Sequence, residues 1–213
     1  MNTTNTAGVR TMDEAFQKML DADTHPENIS DALKRNAPMP PGPTLVPVKR
    51  YTSRVYHELE KEHLWAKSWQ MACHEDDFQQ VGGVGPYDIT TMSFLVDRVA
   101  EDEYKAYYNA CLHRGRKLRE SRGTSLDELR CPFHGWSWNL DGSLKQIPCA
   151  YDYAGLNRDE ERLPEVRLAR WGRFIFINPD PEGESLESFL GDLGTHFPLL
   201  AYDKRYKSAH VAK

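Results

Sequence analysis

A chain of 213 residues with a formal net charge of −5 carries 39% hydrophobic and 11% aromatic residues, too rich a mixture for a disordered polymer. Its mean hydropathy is −0.68, and no apolar run approaches the roughly 18 residues that cross a bilayer, which excludes a transmembrane helix. The acidic balance argues against non-specific nucleic-acid binding, and the polar stretch Met1 to Arg10 lacks the apolar heart of a secretory signal, so a cytoplasmic location is expected.

Residues 1–10 read as a tail. Thr11 and Glu14 form a capping-box pattern that predicts a helix through Leu20. The proline-rich stretch from Ala37 to Pro43, with Pro47 beyond it, cannot be helical and is expected to run extended. Residues 1–50 therefore read as an arm. From Thr52 to Lys67 a helix is predicted, with Val55, Leu59, Glu62 and Ala66 sharing one face. Strands are predicted over Trp69–His74, Ile89–Arg98 and Tyr104–Ala110, with Gly82–Pro86 and Glu101–Glu103 as turns. Trp136–Leu144 reads as a hairpin closed by Asp141-Gly142, and Arg173–Asn178 as a strand stopped by Pro179. Residues 184–200 look partly helical, with Leu186, Phe189, Leu190 and Leu193 at helical spacing. The expected class is mainly β, built of antiparallel sheets with an N-terminal helical arm and short flanking helices, α+β overall.

The chemistry lies in two short segments. Cys111-Leu-His113 and Cys131-Pro-Phe-His134 together spell C-x-H-x17-C-x2-H, each offering one thiolate and one imidazole beside a glycine. Four such donors could hold zinc in a closed tetrahedral site, although zinc fingers usually pair cysteine with cysteine and histidine with histidine. A Cys111–Cys131 disulfide would leave both histidines without a role. The other cysteines, Cys73 and Cys149, are expected to be unreactive core thiols.

The pattern resembles the Rieske iron–sulfur motif. The resemblance implies one [2Fe–2S] cluster, with Cys111 and Cys131 on one iron and His113 and His134 on the other. Neutral imidazoles in place of two thiolates leave less negative charge on such a cluster, so its potential lies above that of all-cysteine ferredoxins. Around the ligands, Gly115 and Gly135 would let the backbone turn tightly, Arg114 would flank the first loop, and Trp136 would shield one side. Rieske proteins of respiratory complexes carry an extra cysteine in each loop; here Arg116 and Phe133 take those places, as in the oxygenase and ferredoxin branch.

Between Tyr51 and Leu193 the chain resembles the α subunit of Rieske non-haem iron ring-hydroxylating oxygenases. The matching stretches are Trp69–His74, Tyr107–Gly115, Cys131–Leu144 and Arg173–Pro179. The resemblance implies residues 1–50 as an N-terminal arm, 51–180 as the Rieske domain, and 181–213 as the start of a connection to a catalytic domain. In the family that domain holds a mononuclear Fe(II) by two histidines and a carboxylate. His25, His57, His63, His74, His196 and His210 form no such set, so this sequence reads as the Rieske half alone, and no catalytic residue is assigned within it. The implied role is electron transfer in mono- or dioxygenation within aromatic hydrocarbon catabolism. An NAD(P)H-dependent reductase, with or without a ferredoxin, would supply electrons, and the assembly would be a homotrimer or α3β3, with no nucleic-acid or membrane partner. The alternative is a stand-alone or regulatory iron–sulfur carrier. Arg114, Arg116, Lys117, Arg119 and Arg122 form either a docking patch for an acidic donor or a solvated loop balanced by Glu120 and Asp127.

Overall fold

The computed structural model describes residues 14–29, 33, 46–193 and 201–208. It divides into two compact units, Met1–Ser53 with Leu190–Leu200, and Arg54–Phe189 with Ala201–Lys213. In the first, α1 (Glu14–Asp21) forms where the capping pattern predicts it, and its buried Gln17 donates to the Leu33 carbonyl at 3.2 Å. Thr11 itself, the extended stretch 37–45 and most of the helical reading beyond Leu193 fall outside the described residues. A single turn, α2 (Lys49–Thr52), ends at Ser53, whose extended backbone (φ −84°, ψ 126°) interrupts the long helix expected from Thr52.

The second unit opens with α3 (Arg54–Glu60), which widens into a π turn over Lys61–Trp65. The face that Val55 and Leu59 share is not buried: Val55 is 70% and Leu59 46% exposed. Nine strands follow among the described residues. β1 (Gln70–His74), β2 (Val84–Ile89), β3 (Met92–Ala100), β4 (Glu103–Tyr108), β8 (Glu165–Trp171) and β9 (Phe174–Asn178) make a six-stranded sheet in the order β1-β9-β8-β4-β3-β2. β5 (Leu129–Arg130), β6 (Ser137–Trp138) and β7 (Leu144–Gln146) make a three-stranded sheet in sequence order. All pairings are antiparallel. After β9 a short helix, α4 (Leu186–Leu190), buries Leu186. Among the described residues no helix is long and apolar enough to cross a membrane.

Two boundaries move. The turn expected at Gly82–Pro86 ends at Gly83, and Val84 to Pro86 enter β2, where Pro86 pairs with Leu95. β2 lies at the sheet edge, so the absent proline N–H costs no ladder bond. The strand expected to start at Ile89 starts at Met92 instead, because Thr90 and Thr91 make a two-residue hairpin loop, with Thr90 at φ +54°.

β3 sorts the core by alternation. Phe94 and Val96 pack with Phe78, Ile175 and Ile177. Leu95 faces the other way, into a cluster with Tyr107, Leu129, Trp138 and Leu163 that also takes in Cys111 and Cys131. The hairpin at Asp141-Gly142 closes this second cluster. Gly142 sits at φ +85°, and a Cβ there would fall 2.6 Å from Tyr107 Cε1. The Tyr107 hydroxyl in turn donates to the Leu140 carbonyl at 3.0 Å.

Asp97, on β3, is fully buried with neither carboxylate oxygen hydrogen-bonded to another protein group. Burial raises its pKa well above the ordinary 3.8, opposed by the charge of Arg119. A carboxyl whose folded pKa is raised favours the fold at low pH and loses that advantage as pH climbs from about 4 through the folded value. Asp97→Asn is therefore expected to be more stable than wild type at pH 8, with the difference shrinking toward pH 4. Thermal melts across that range check it, and a pH-independent difference would contradict it.

Candidate metal centre

Both ligand segments are built on one backbone plan. In the first, the Cys111 carbonyl accepts from Gly115 N at 2.8 Å and the Cys111 amide donates to the Arg116 carbonyl at 2.9 Å. In the second, the Cys131 carbonyl accepts from Gly135 N at 3.1 Å and the Cys131 amide donates to the Trp136 carbonyl at 2.8 Å. Each cysteine thus closes a tight loop at i+4 and i+5, and each i+4 position is a glycine in left-handed conformation, φ +69° and +76°. No other residue type adopts that conformation so cheaply. Pro148 packs at 3.3 Å from where a Gly135 Cβ would stand.

The loops bring like donors together. The Cys111 and Cys131 thiols, 2% and 3% exposed, lie within hydrogen-bonding reach of each other, and all four cysteines of the chain are free thiols. The His113 and His134 rings meet edge to face with centroids 4.7 Å apart. Burial pushes the Cys111 thiol up, and so does the neighbouring Cys131, while the backbone amides of His113 and Arg114 bond to its sulfur and favour the thiolate. The His113 imidazole is held below its ordinary value by desolvation first, then by His134 and Arg114.

This arrangement can be tested against the two groups the donors could hold. Among the described residues no three His, Cys, Asp or Glu side chains converge on one ion position, as a closed tetrahedral zinc site requires. The four donors form a sulfur pair and an imidazole pair, the partition a two-iron cluster uses. Amides aimed at the Cys111 sulfur suit a thiolate that stays bound to metal. Ser137 Oγ and Trp138 Nε1, on the strand leaving the second loop, are buried without a protein partner. The residues fit a [2Fe–2S] cluster.

A ring of aromatic side chains surrounds the imidazoles. Trp136 stacks on His113 with centroids 5.1 Å apart and planes 4° from parallel. Tyr153 meets both rings edge-on, and Phe133 covers His134 at 3.8 Å. Trp136 was legible in the motif; Tyr153, 19 residues beyond His134 in sequence, carries no local signal. Asn109 was also missed. It is buried just ahead of Cys111, its side chain donates to the Arg119 carbonyl at 2.7 Å and accepts from the Leu118 and Arg119 amides at 2.9 and 3.1 Å. Asn109 thereby ties the start of the first loop to its return.

The other candidates fare variously. Of the five basic residues after His113, Arg116 pairs with Glu120 at 2.7 Å, Lys117 with Asp88 at 3.0 Å, and Arg122 with Asp77. Arg114 has no carboxylate partner among the described residues. Cys73 fits the expectation of an inert thiol, since burial pushes it up to about 12. Cys149 does not: it is exposed, at φ +54° in a turn after Pro148, because Ile147 takes the core position in that stretch. His74 is buried, its Nδ1 accepting from the Asp76 amide at 3.2 Å; His196 and His210 lie outside the described residues.

The sequence pattern of the Rieske [2Fe–2S] domain matches residues 68–158, a span that contains all four donors. The chain carries a Rieske domain. It is also 33% identical over 149 residues to the carnitine monooxygenase oxygenase subunit of Escherichia coli strain K12, covering 70% of this chain and 40% of that one. The anthranilate 1,2-dioxygenase large subunit of Acinetobacter baylyi is 30% identical over 152 residues, covering 70% and 32%. Among solved structures, naphthalene 1,2-dioxygenase from a Rhodococcus species superposes with a TM-score of 0.65 at 32% identity, over 72% of this chain and 35% of that one. The quaternary ammonium Rieske monooxygenase CntA superposes with a TM-score of 0.67 at 26% identity, over 73% and 43%. This Rieske domain and its surroundings are homologous to the N-terminal portion of Rieske oxygenase α subunits. The chain spans well under half the length of the relatives it matches.

Proposed function

We propose that this chain is the electron-transfer portion of a Rieske oxygenase, with Cys111 and Cys131 holding one iron of a [2Fe–2S] cluster and His113 and His134 the other. The single observation that carries the reading is the pairing of sulfur with sulfur and imidazole with imidazole across two matched loops. When bound, the cluster supplies one-electron transfer between a reductase-side donor and a mononuclear iron. The chain's own residues arrange access to it. The two thiols lie in the core, shielded by Trp136 and Trp138, and the two imidazoles lie toward the surface, where His134 is exposed. Electrons therefore enter and leave on the imidazole side, where Leu112 and Phe133 offer exposed apolar contacts and Arg114 an unbalanced positive charge for an acidic donor.

In this reading residues 1–50 form an arm, 51–180 the Rieske domain, and 181–213 the lead into the part of the protein that binds substrate. A reductase, alone or with a ferredoxin, supplies electrons. Inter-subunit electron transfer is described for one solved relative, a quaternary ammonium Rieske monooxygenase, which supports an oligomer here. Aromatic substrates lose their privileged place as an expectation, because the matched relatives include carnitine and choline monooxygenases beside anthranilate and naphthalene dioxygenases. The shared domain feeds both chemistries. The oxygenase reading is preferred to a stand-alone carrier because these relatives are oxygenase subunits.

The test is an anaerobic titration with dithionite followed by mixing with an NADH-dependent Rieske reductase. One electron per chain, delivered by the reductase at a rate that falls with salt, is the expected result. A chain that accepts no electron contradicts the proposal.

A further inference from the structure

Resting on that reading, the two imidazoles are not equivalent. The His113 ring is fixed from three directions: Trp136 lies flat against one face, the Tyr153 ring meets it edge-on, and the Tyr153 hydroxyl stands 3.2 Å from Nε2. Among the described residues, His134 has ring contacts with Phe133 and His113 and no such hydrogen bond. The nitrogen of His113 turned to Tyr153 is Nε2, which leaves Nδ1 as the nitrogen available to iron. A neutral imidazole bound through Nδ1 carries its proton on Nε2, so the N–H donates and the Tyr153 oxygen accepts.

We infer that Tyr153 is a positioning residue that orients His113 and, by accepting its Nε2 proton in a hydrogen bond, lowers the reduction potential of the cluster. The physical cause is general. An acceptor on the far nitrogen of a metal-bound imidazole raises the basicity of the ring, so the ligand donates more electron density and stabilises the oxidised, more positive metal.

The local fold supports a fixed post. Cys149 turns the chain at φ +54°, the short 3-10 helix Ala150–Tyr153 follows, and Tyr153 packs half-buried against the cluster of core residues that contains both ligand cysteines. The hydroxyl is held in place by that packing. Tyr151, two residues earlier, points its hydroxyl toward Cys149 and is 78% exposed, so it makes a control whose oxygen does not face His113.

The experiment compares Tyr153→Phe, Tyr153→Leu and Tyr151→Phe in the cluster-loaded chain by redox titration and reduced-state EPR. Tyr153→Phe keeps the ring and removes the acceptor. It is expected to keep full iron content, to shift the reduction equilibrium about threefold toward the reduced form, which is ~28 mV for a one-electron couple, and to move the EPR g-values. Tyr153→Leu should shift the potential in the same direction, which keeps the test decisive if the phenylalanine variant loads poorly. Tyr151→Phe should match wild type. A wild-type potential in cluster-loaded Tyr153→Phe, or an equal shift in Tyr151→Phe, would overturn the role of Tyr153 while leaving the ligand assignment standing. A wild-type chain that shows no Rieske spectrum would instead overturn the ligand assignment, and this role with it.

Discussion

Replacing His134 by alanine is expected to remove the two-iron spectrum while leaving the fold standing. His134 lies exposed at the tip of the second loop, and among the described residues its ring meets those of Phe133 and His113. No buried hydrogen bond depends on it, so the stability cost should stay within about 0.5 kcal/mol, the range of ordinary surface substitutions. The cost to the metal is of another size. Losing even a residue that only supports a ligand weakens a metal site about 10- to 100-fold, and losing a ligand costs at least that much. Iron analysis and EPR of the reduced chain read the loss, while circular dichroism reads the intact sheets. His134→Cys should restore iron uptake, at a lower potential, because a thiolate adds the negative charge that the imidazole withheld. An unchanged spectrum in His134→Ala would remove His134 from the ligand set.

Trp138→Ala should be the most damaging single change to the fold itself. Trp138 is fully buried on β6, a strand of two residues, and it packs in the cluster with Tyr107, Leu129 and both ligand cysteines. Truncating a buried tryptophan costs about 3–5 kcal/mol, a large fraction of the roughly 5–15 kcal/mol that holds a domain together. Its Nε1 has no protein partner, so Trp138→Phe loses volume but no protein hydrogen bond and should cost clearly less. Urea unfolding of the metal-free chain separates the two. A Trp138→Ala midpoint within error of wild type would show that the inter-sheet core does not depend on this ring.

The parts of the molecule legible in the sequence are those where local chemistry leaves one choice. Cys, His and Gly at short spacing name the loops, because a left-handed turn at the fourth residue beyond each cysteine needs Gly115 and Gly135. Asp141-Gly142 names its hairpin for the same reason. What escaped depends on distant partners. β8 was missed although Val166 and Leu168 alternate with Glu165 and Arg167, a strand pattern over too short a run to stand out, and pairing with β9 and β4 makes it plain. Pro86 reads as a turn until β2 is seen at the sheet edge. The basic loop reads either as a docking patch or as a loop balanced by Glu120 and Asp127; Glu120 does pair with Arg116, but Lys117 and Arg122 reach back to Asp88 and Asp77. Cys149 is exposed where a core thiol was expected, and Tyr153 was not singled out, because Ile147 claims the core site and turns the cysteine outward while the short helix carries the tyrosine to His113.

In the proposed function, two matched loops hold a [2Fe–2S] cluster through a sulfur pair and an imidazole pair. The most direct measurement is iron, zinc and acid-labile sulfide content of the anaerobically purified chain, with EPR of the same sample after dithionite reduction. Two irons and two sulfides per chain, with a rhombic reduced-state spectrum, is the predicted result. One zinc per chain, no sulfide and no signal on reduction would contradict it.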